Sequence, residues 1–179
     1  LLLTMERFNA ACDAIAEAAF ELKTANKVVL QQAVYSDIRE RFGLSAQMVI
    51  RAIAKVCEVY KRDKTIKPSF RPHGAIIYDQ RILSWKGLDR VSILTLSGRE
   101  IVPVIMGQYQ SSRFGRVRGQ VDLTYRDGKF FLHVVIDVPE PPPFEPDGFL
   151  GVDLGMKNLA TDSDGENYSG AHLANLRNR

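Results

Sequence analysis

Residues 119 to 139 read GQVDLTYRDGKFFLHVVIDVP, and the Asp127-Gly128 pair at their centre limits the possible folds more than any other feature of the chain. An Asp-Gly pair between alternating apolar residues specifies a two-residue hairpin turn whose twist matches its flanking strands. The turn sets the register, placing Tyr125 opposite Phe130, Leu123 opposite Leu132 and Val121 opposite Val134. All six are apolar, so turn chemistry and burial pattern agree, and a slip of one residue would send the whole set to solvent. This hairpin is expected to belong to an antiparallel sheet.

Upstream the period is helical. Met5, Phe8, Cys12, Ile15, Ala19 and Leu22 recur at steps of three and four, as one apolar stripe. Leu30, Val34, Ile38 and Phe42 form a second stripe, stopped by Gly43 in the position of a C-terminal cap. Ser45 is placed to cap a third helix with the stripe Val49, Ile53, Val56 and Tyr60. The period changes after Lys67-Pro68. AIIYD, RILSW, VSILTLSG and REIVPVIMG are short strand-like runs broken by Gly, Asp and Ser.

PEPPPFEP, at 139 to 146, is neither helix nor central strand, because proline lacks the N–H donor and restricts the residue before it. It reads as a stiff linker. Beyond it, FLGVDLGMKNLATDSDGENY reads as a strand ending near Asp153, a bend at Gly155, a second strand, an Asp164-Gly165 turn and a third strand. A three-strand meander with an acid on its first strand is how RNase H-like nuclease domains open. In such sites carboxylates from separate elements hold Mg²⁺ for phosphodiester hydrolysis. The same letters suit the Asp-x-Gly phosphate loop of sugar kinases and actin-like ATPases, but Met156-Lys157 are bulky for a phosphate cradle. Asp162, Asp164 and Glu166 lie at or near the turn and are expected to be solvated.

Charge is unevenly spread. Residues 61 to 72 hold five basic side chains and one acid, and residues 108 to 120 hold three arginines and no acid. Residues 145 to 166 hold six acids against Lys157. A basic body followed by an acidic site suits a protein that grips phosphates and holds cations. Lys61, Arg62, Lys64, Lys67, Arg71, Arg113, Arg116 and Arg118 are the candidate phosphate contacts, which add affinity without sequence choice. Trp85, Tyr109 and Phe114 are candidates for stacking on bases. His73, His133 and His172 lack metal-ligand spacing and receive no role. Cys12 and Cys57 fall on apolar helical positions and read as buried, reduced thiols of a cytoplasmic protein. No apolar run approaches a membrane span.

Three segments together carry a more specific likeness. GVDLGMKNLATDSDG resembles the first RuvC motif of the OrfB/TnpB family of insertion-sequence proteins, relatives of the type V CRISPR nucleases. RVRGQVDLTYRDGKFFLHVVIDVPEPP resembles the strands that lead into that motif, and LSAQMVIRAIAKVCEVYK resembles a helix of the same family. The likeness runs in order over nearly the whole chain. It implies an α+β fold: a three-helix, recognition-like region at 1–64 and an antiparallel β-barrel-like wedge region at 65–138. A linker at 139–147 and the opening strands of an RNase H-like RuvC domain at 148–179 would follow.

The function implied is that of a transposon-encoded, RNA-guided, Mg²⁺-dependent DNA endonuclease, with guide RNA and DNA as partners. Asp153 then matches the first catalytic carboxylate and a Mg²⁺ ligand. The family's second-motif Glu, third-motif Asp and Cys-x-x-Cys zinc ribbon would lie beyond residue 179, and its opening strand would precede residue 1. The chain is therefore expected to be a fragment that binds nucleic acid without cutting it. The alternative is a non-catalytic nucleic-acid-binding protein with a degenerate RNase H-like domain; the kinase-like phosphate loop ranks below both.

Overall fold

The computed structural model describes residues 1–140, 142–143, 145–155 and 158–171. The side chain of Arg116, together with Met156, Lys157 and His172, lies outside the described residues. The chain divides into two compact units, Leu1–Val138 and Pro139–Arg179, with the division at the start of the proline run.

The first unit opens with three helices, α1 (Leu2–Glu21), α2 (Lys27–Phe42) and α3 (Ala46–Arg62). Their ends follow the expected chemistry. Asn26 Oδ1 accepts from the Val28 amide at 2.9 Å, Gly43 closes α2 at φ +62°, and Ser45 Oγ accepts from the Met48 amide at 3.4 Å. The stripes Met5, Phe8, Cys12, Ile15, Ala19 and Val49, Ile53, Val56, Tyr60 are buried against each other. Each large apolar side chain buried this way contributes on the order of 1.5–3 kcal/mol. Leu22 departs from the expected stripe at 52% exposed, because α1 ends one residue before it.

Six strands follow in this unit: β1 (Ile76–Tyr78), β2 (Leu83–Trp85), β3 (Arg90–Thr95), β4 (Gly98–Pro103), β5 (Val117–Arg126) and β6 (Lys129–Ile136). A short helix, α4 (Gln108–Arg113), and a single 3₁₀ turn (Phe114–Arg116) precede β5. The β5–β6 hairpin has the predicted register, Tyr125 to Phe130, Leu123 to Leu132 and Val121 to Val134. Asp127 and Gly128 both have positive φ, at +52° and +76°, as a turn of matching twist requires.

The expected barrel-like region takes another form. The strands make two separate three-stranded antiparallel sheets, β1-β5-β6 and β2-β3-β4, and no closed barrel is present among the described residues. Closure needs a ladder between the sheets. The turn between β1 and β2 passes the chain from one sheet to the other without one, because Asp79 in that turn is tied to α3. Arg51 donates from Nε and Nη2 to Asp79 Oδ2, at 2.9 and 2.6 Å, and Gln47 donates to the same oxygen. The two sheets meet instead through their inner faces, where Tyr78 donates its hydroxyl to the Leu94 carbonyl at 3.1 Å. Ile76, Tyr78, Val121 and Leu123 share one core with Leu83, Val91, Ile93 and the helical stripes.

Burial alone would raise the Asp79 pKa, but the hydrogen bonds from Arg51, the Arg81 amide and Gln47 outweigh it and hold the carboxyl below its ordinary 3.8. Its contribution to stability is therefore complete above that value and is lost as pH falls through the lower folded-state pKa.

A buried polar cluster joins helices to sheet. Asn9 is fully buried in α1 and donates from Nδ2 to the carbonyls of Met5, Pro72 and Gly74, at 3.0, 3.2 and 2.7 Å. Lys55 of α3 donates to Asn9 Oδ1 at 2.8 Å and to the Ala75 carbonyl at 2.6 Å. The rings of Phe8 and Phe70 flank its ammonium. Burial lowers the Lys55 pKa and pushes the neighbouring Cys12 thiol up to about 12. Cys12 and Cys57 are both free and buried. Among the described residues no helix is long and apolar enough to cross a membrane.

The second unit holds a three-stranded meander, β7 (Val152–Asp153), β8 (Asn158–Asp162) and β9 (Asn167–Ser169), in the order expected from sequence. Its β8–β9 turn contains Gly165 at φ +88°.

Replacing Asn9 with Leu leaves the Lys55 ammonium and two loop carbonyls buried without their partner. The expected loss in unfolding free energy is about 2–5 kcal/mol, read from urea denaturation. A loss below about 0.5 kcal/mol, the usual size for a surface change, would show that the cluster does not hold the unit together.

Candidate functional site

The meander separates its side chains by chemistry. Residues directly opposite on antiparallel strands share a face, so the pairings Asp153 to Thr161 and Thr161 to Asn167 put these three on one side. Val152 opposes Asp162 and Ala160 opposes Tyr168, which places these on the other. The first face is polar. Asn167 Oδ1 there accepts from Thr161 Oγ1 at 2.7 Å and from Asn158 Nδ2 at 3.0 Å. Asp153 is exposed on that face at the end of β7.

Asp162 is not the solvated turn acid expected from its position. It is 9% exposed, and its Oδ1 accepts from the amides of Asp164 and Glu166, at 3.1 and 2.8 Å. Tyr168 donates its hydroxyl to Asp162 Oδ2 at 3.3 Å and to Glu166 Oε2 at 3.1 Å. Donation to Glu166, with a lesser part from Asp162, raises the phenol pKa. An Asp that closes a turn through its own backbone is a structural acid. Asp164 and Glu166 are exposed, as expected.

A Mg²⁺ ion takes one or two carboxylates, keeps several waters and completes its shell with substrate phosphates. The donor set beside Asp153 fits one such contact. The Asn167 oxygen is already engaged, and no group of three His, Cys, Asp or Glu able to hold a metal occurs among the described residues.

The basic candidates all belong to the first unit. Lys61 and Arg62 occupy the last turn of α3, where positive charge complements the helix dipole. Lys64 and Arg71 are exposed on the segment that follows. Lys67 is engaged with Glu17 at 2.9 Å, and Arg118 with Asp137 at 2.8 Å. Both pairs are exposed, and such pairs are worth about 0–1 kcal/mol, so a phosphate can displace either carboxylate. Arg113 lies over the Tyr109 ring, 3.8 Å from its centroid.

Two groupings were not legible in the sequence. Lys64 meets Lys23 at a hollow of about 330 Å³ that Phe20, Tyr60 and Thr65 also line. Lys23 stands alone in a turn after α1, and no charge run marks it. Trp85 and Phe114, each a separate stacking candidate, stand edge to face with centroids 5.0 Å apart. Of the histidines without an assigned role, His73 lies 3.0 Å from Glu6 Oε1, and His133 lies 2.9 Å from Thr124 Oγ1.

The chain matches no protein-family model and no curated protein.

The two acids of the meander are expected to respond differently to removal. Asp162→Ala leaves two amides and a phenol without their acceptor and should cost about 1–3 kcal/mol, with faster hydrogen exchange at the Asp164 and Glu166 amides. Asp153→Ala should change stability by no more than about 0.5 kcal/mol. Equal effects from the two would remove the distinction between a structural and a functional carboxylate.

Proposed function

We propose that this chain is the nucleic-acid-binding portion and first catalytic strand of a Mg²⁺-dependent, RNA-guided DNA endonuclease of the OrfB/TnpB type. The observation that carries the reading is the position of Asp153. An acid sits exposed at the end of the first strand of a meander, on its polar face, while the neighbouring Asp162 is occupied with the turn. An exposed carboxylate at the end of a paired strand is what a metal-dependent phosphodiesterase needs at that point.

In this reading Asp153 holds one edge of a metal site, and further carboxylates of the complete protein hold the rest. Bound Mg²⁺ supplies water activation and charge stabilisation at the leaving oxygen. Asp153 itself contributes a fixed negative charge and a fixed direction. The exposed cations Lys61, Arg62, Lys64 and Arg71 hold the phosphate backbone of guide RNA or DNA and bring it to the protein by electrostatic attraction. Lys67, Arg113 and Arg118 add contacts once their present partners are exchanged for phosphate. The basic unit provides grip, and the acid provides chemistry.

The 179-residue chain alone should bind nucleic acid in a salt-sensitive way and cleave none, with or without Mg²⁺. Joint replacement of Lys61, Arg62, Lys64 and Arg71 with Ala should make the plot of log affinity against log salt shallower by roughly 3. An unchanged slope would place the interface elsewhere. In the complete protein, Asp153→Ala and Asp153→Asn should each abolish cutting and leave guide-RNA affinity within about twofold, since charge and not shape is what the metal requires. Robust cleavage by either variant would remove the nuclease reading. Loss of nucleoside triphosphate binding instead would favour a phosphate loop.

A further inference from the structure

The first unit contains a cleft of about 340 Å³ that shares only Arg118 with the candidate phosphate contacts. Leu83 and Val121 are buried at its floor, and the half-buried rings of Trp85 and Phe114 form a wall. Its rim carries Gln80, Gly119 and Arg118. The rim owes its shape to a break in the β5–β6 ladder. Arg118 pairs with Val135 and Val121 with Val134, so Gly119 and Gln120 are extra residues lifted out of the sheet, with Gly119 at φ +70°. Bulges of this kind re-aim backbone and side chains beside binding sites.

We propose that this cleft is a subsite for one unpaired nucleobase of the bound nucleic acid, stacked on the Trp85–Phe114 wall with its phosphate at Arg118. The inference rests on the nucleic-acid reading above and adds a structural class of ligand to it: single strand, not duplex. Three features orient the ligand. Asp79 also lines the cleft, but its side chain is only 12% exposed and its carboxylate is already paired with Arg51, so the floor gives a phosphate no partner there. Arg118 is 70% exposed, at the rim, where a phosphate can replace Asp137. Apart from the half-buried Ser84, the remaining inner surface is aromatic and aliphatic, which suits a flat base. A base within a duplex is stacked and paired and cannot enter.

Trp85 is the sole tryptophan, so its fluorescence reports the cleft directly. The test titrates the 179-residue chain with an end-labelled decathymidylate and with the same strand in duplex, following label anisotropy and Trp85 emission together. Single strand is expected to quench Trp85 over the same concentrations that raise anisotropy, while duplex raises anisotropy with little quenching. Phe114→Ala and Phe114→Leu should both weaken single-strand binding roughly 5- to 100-fold, the range for loss of one stacked base, and leave duplex affinity within about twofold. Leu keeps most of the apolar volume without the π face. Weakening by Ala alone would assign Phe114 to packing and overturn the subsite. Single-strand binding without a change in Trp85 emission, or equal quenching by duplex, would overturn the subsite while the nucleic-acid reading stands. No anisotropy change with either probe would overturn both.

Discussion

The first unit depends on a half-buried cation. Lys55 enters the space between α1, α3 and the approach to β1, where its ammonium has exchanged water for the Asn9 amide oxygen, the Ala75 carbonyl and two aromatic faces. A charge in that position is costly unless each donor finds an acceptor. The surrounding chain therefore has one arrangement that satisfies it, with Asn9 held by the carbonyls of Pro72 and Gly74. Apolar stripes bring the three helices together without much preference for angle or register. The Lys55–Asn9 cluster adds a fixed point between α1 and α3 and ties both to the chain that leads into β1.

A second polar tie extends the constraint. Arg51 and Gln47, earlier on α3, hold Asp79 immediately after β1. Two attachments on one helix, at Ala75 and Asp79, bracket β1 from both ends. The strand is short, only Ile76–Tyr78, so little freedom remains. With β1 in place, β5 pairs along it from Val121 to Leu123, and the β5–β6 hairpin follows. The chain beyond Asp79 is turned toward the other sheet. The cleft that Asp79 lines is a by-product of that turn: the β2 end of one sheet faces the bulged start of β5 in the other. Fold stability and the proposed base subsite thus share a residue, with its carboxylate committed to the fold.

The second unit shows how two similar residues differ in their ties to the fold. Asp153 and Asp162 are both strand-end acids of one small meander, on opposite faces. Asp162 satisfies the amides of its own turn and a phenol, which removes it from chemistry. The face it shares with Val152 and Tyr168 carries the apolar surface of the meander, and the face with Asp153, Thr161 and Asn167 is polar. Alternation along a strand is sufficient to make that division, provided the strands pair in one register.

Local chemistry was legible without the structure wherever one short segment carries its own instructions. The Asp127-Gly128 turn, the Gly43 and Ser45 caps, the helical stripes, the proline run and the order of the meander all followed from neighbours a few residues apart. The strand ending at Asp153 was legible for the same reason, although the apolar residues before it, Phe149, Leu150 and Val152, are exposed and not buried as the pattern suggests. Tertiary structure decided what depends on partners far along the chain. Nothing local marks Lys55 in the sequence; Asn9, 46 positions away, and Ala75 give its ammonium its partners. Asp162 read as a surface acid because its acceptor role is set by the path of the turn and not by composition. The barrel-like form was expected from the family resemblance alone, since strand-forming runs specify pairing but not closure, and the strands form two separate sheets. The Trp85–Phe114 wall joins aromatics that sequence could only name singly, since the approach of the 3₁₀ turn before β5 to the end of β2, not local propensity, brings them edge to face.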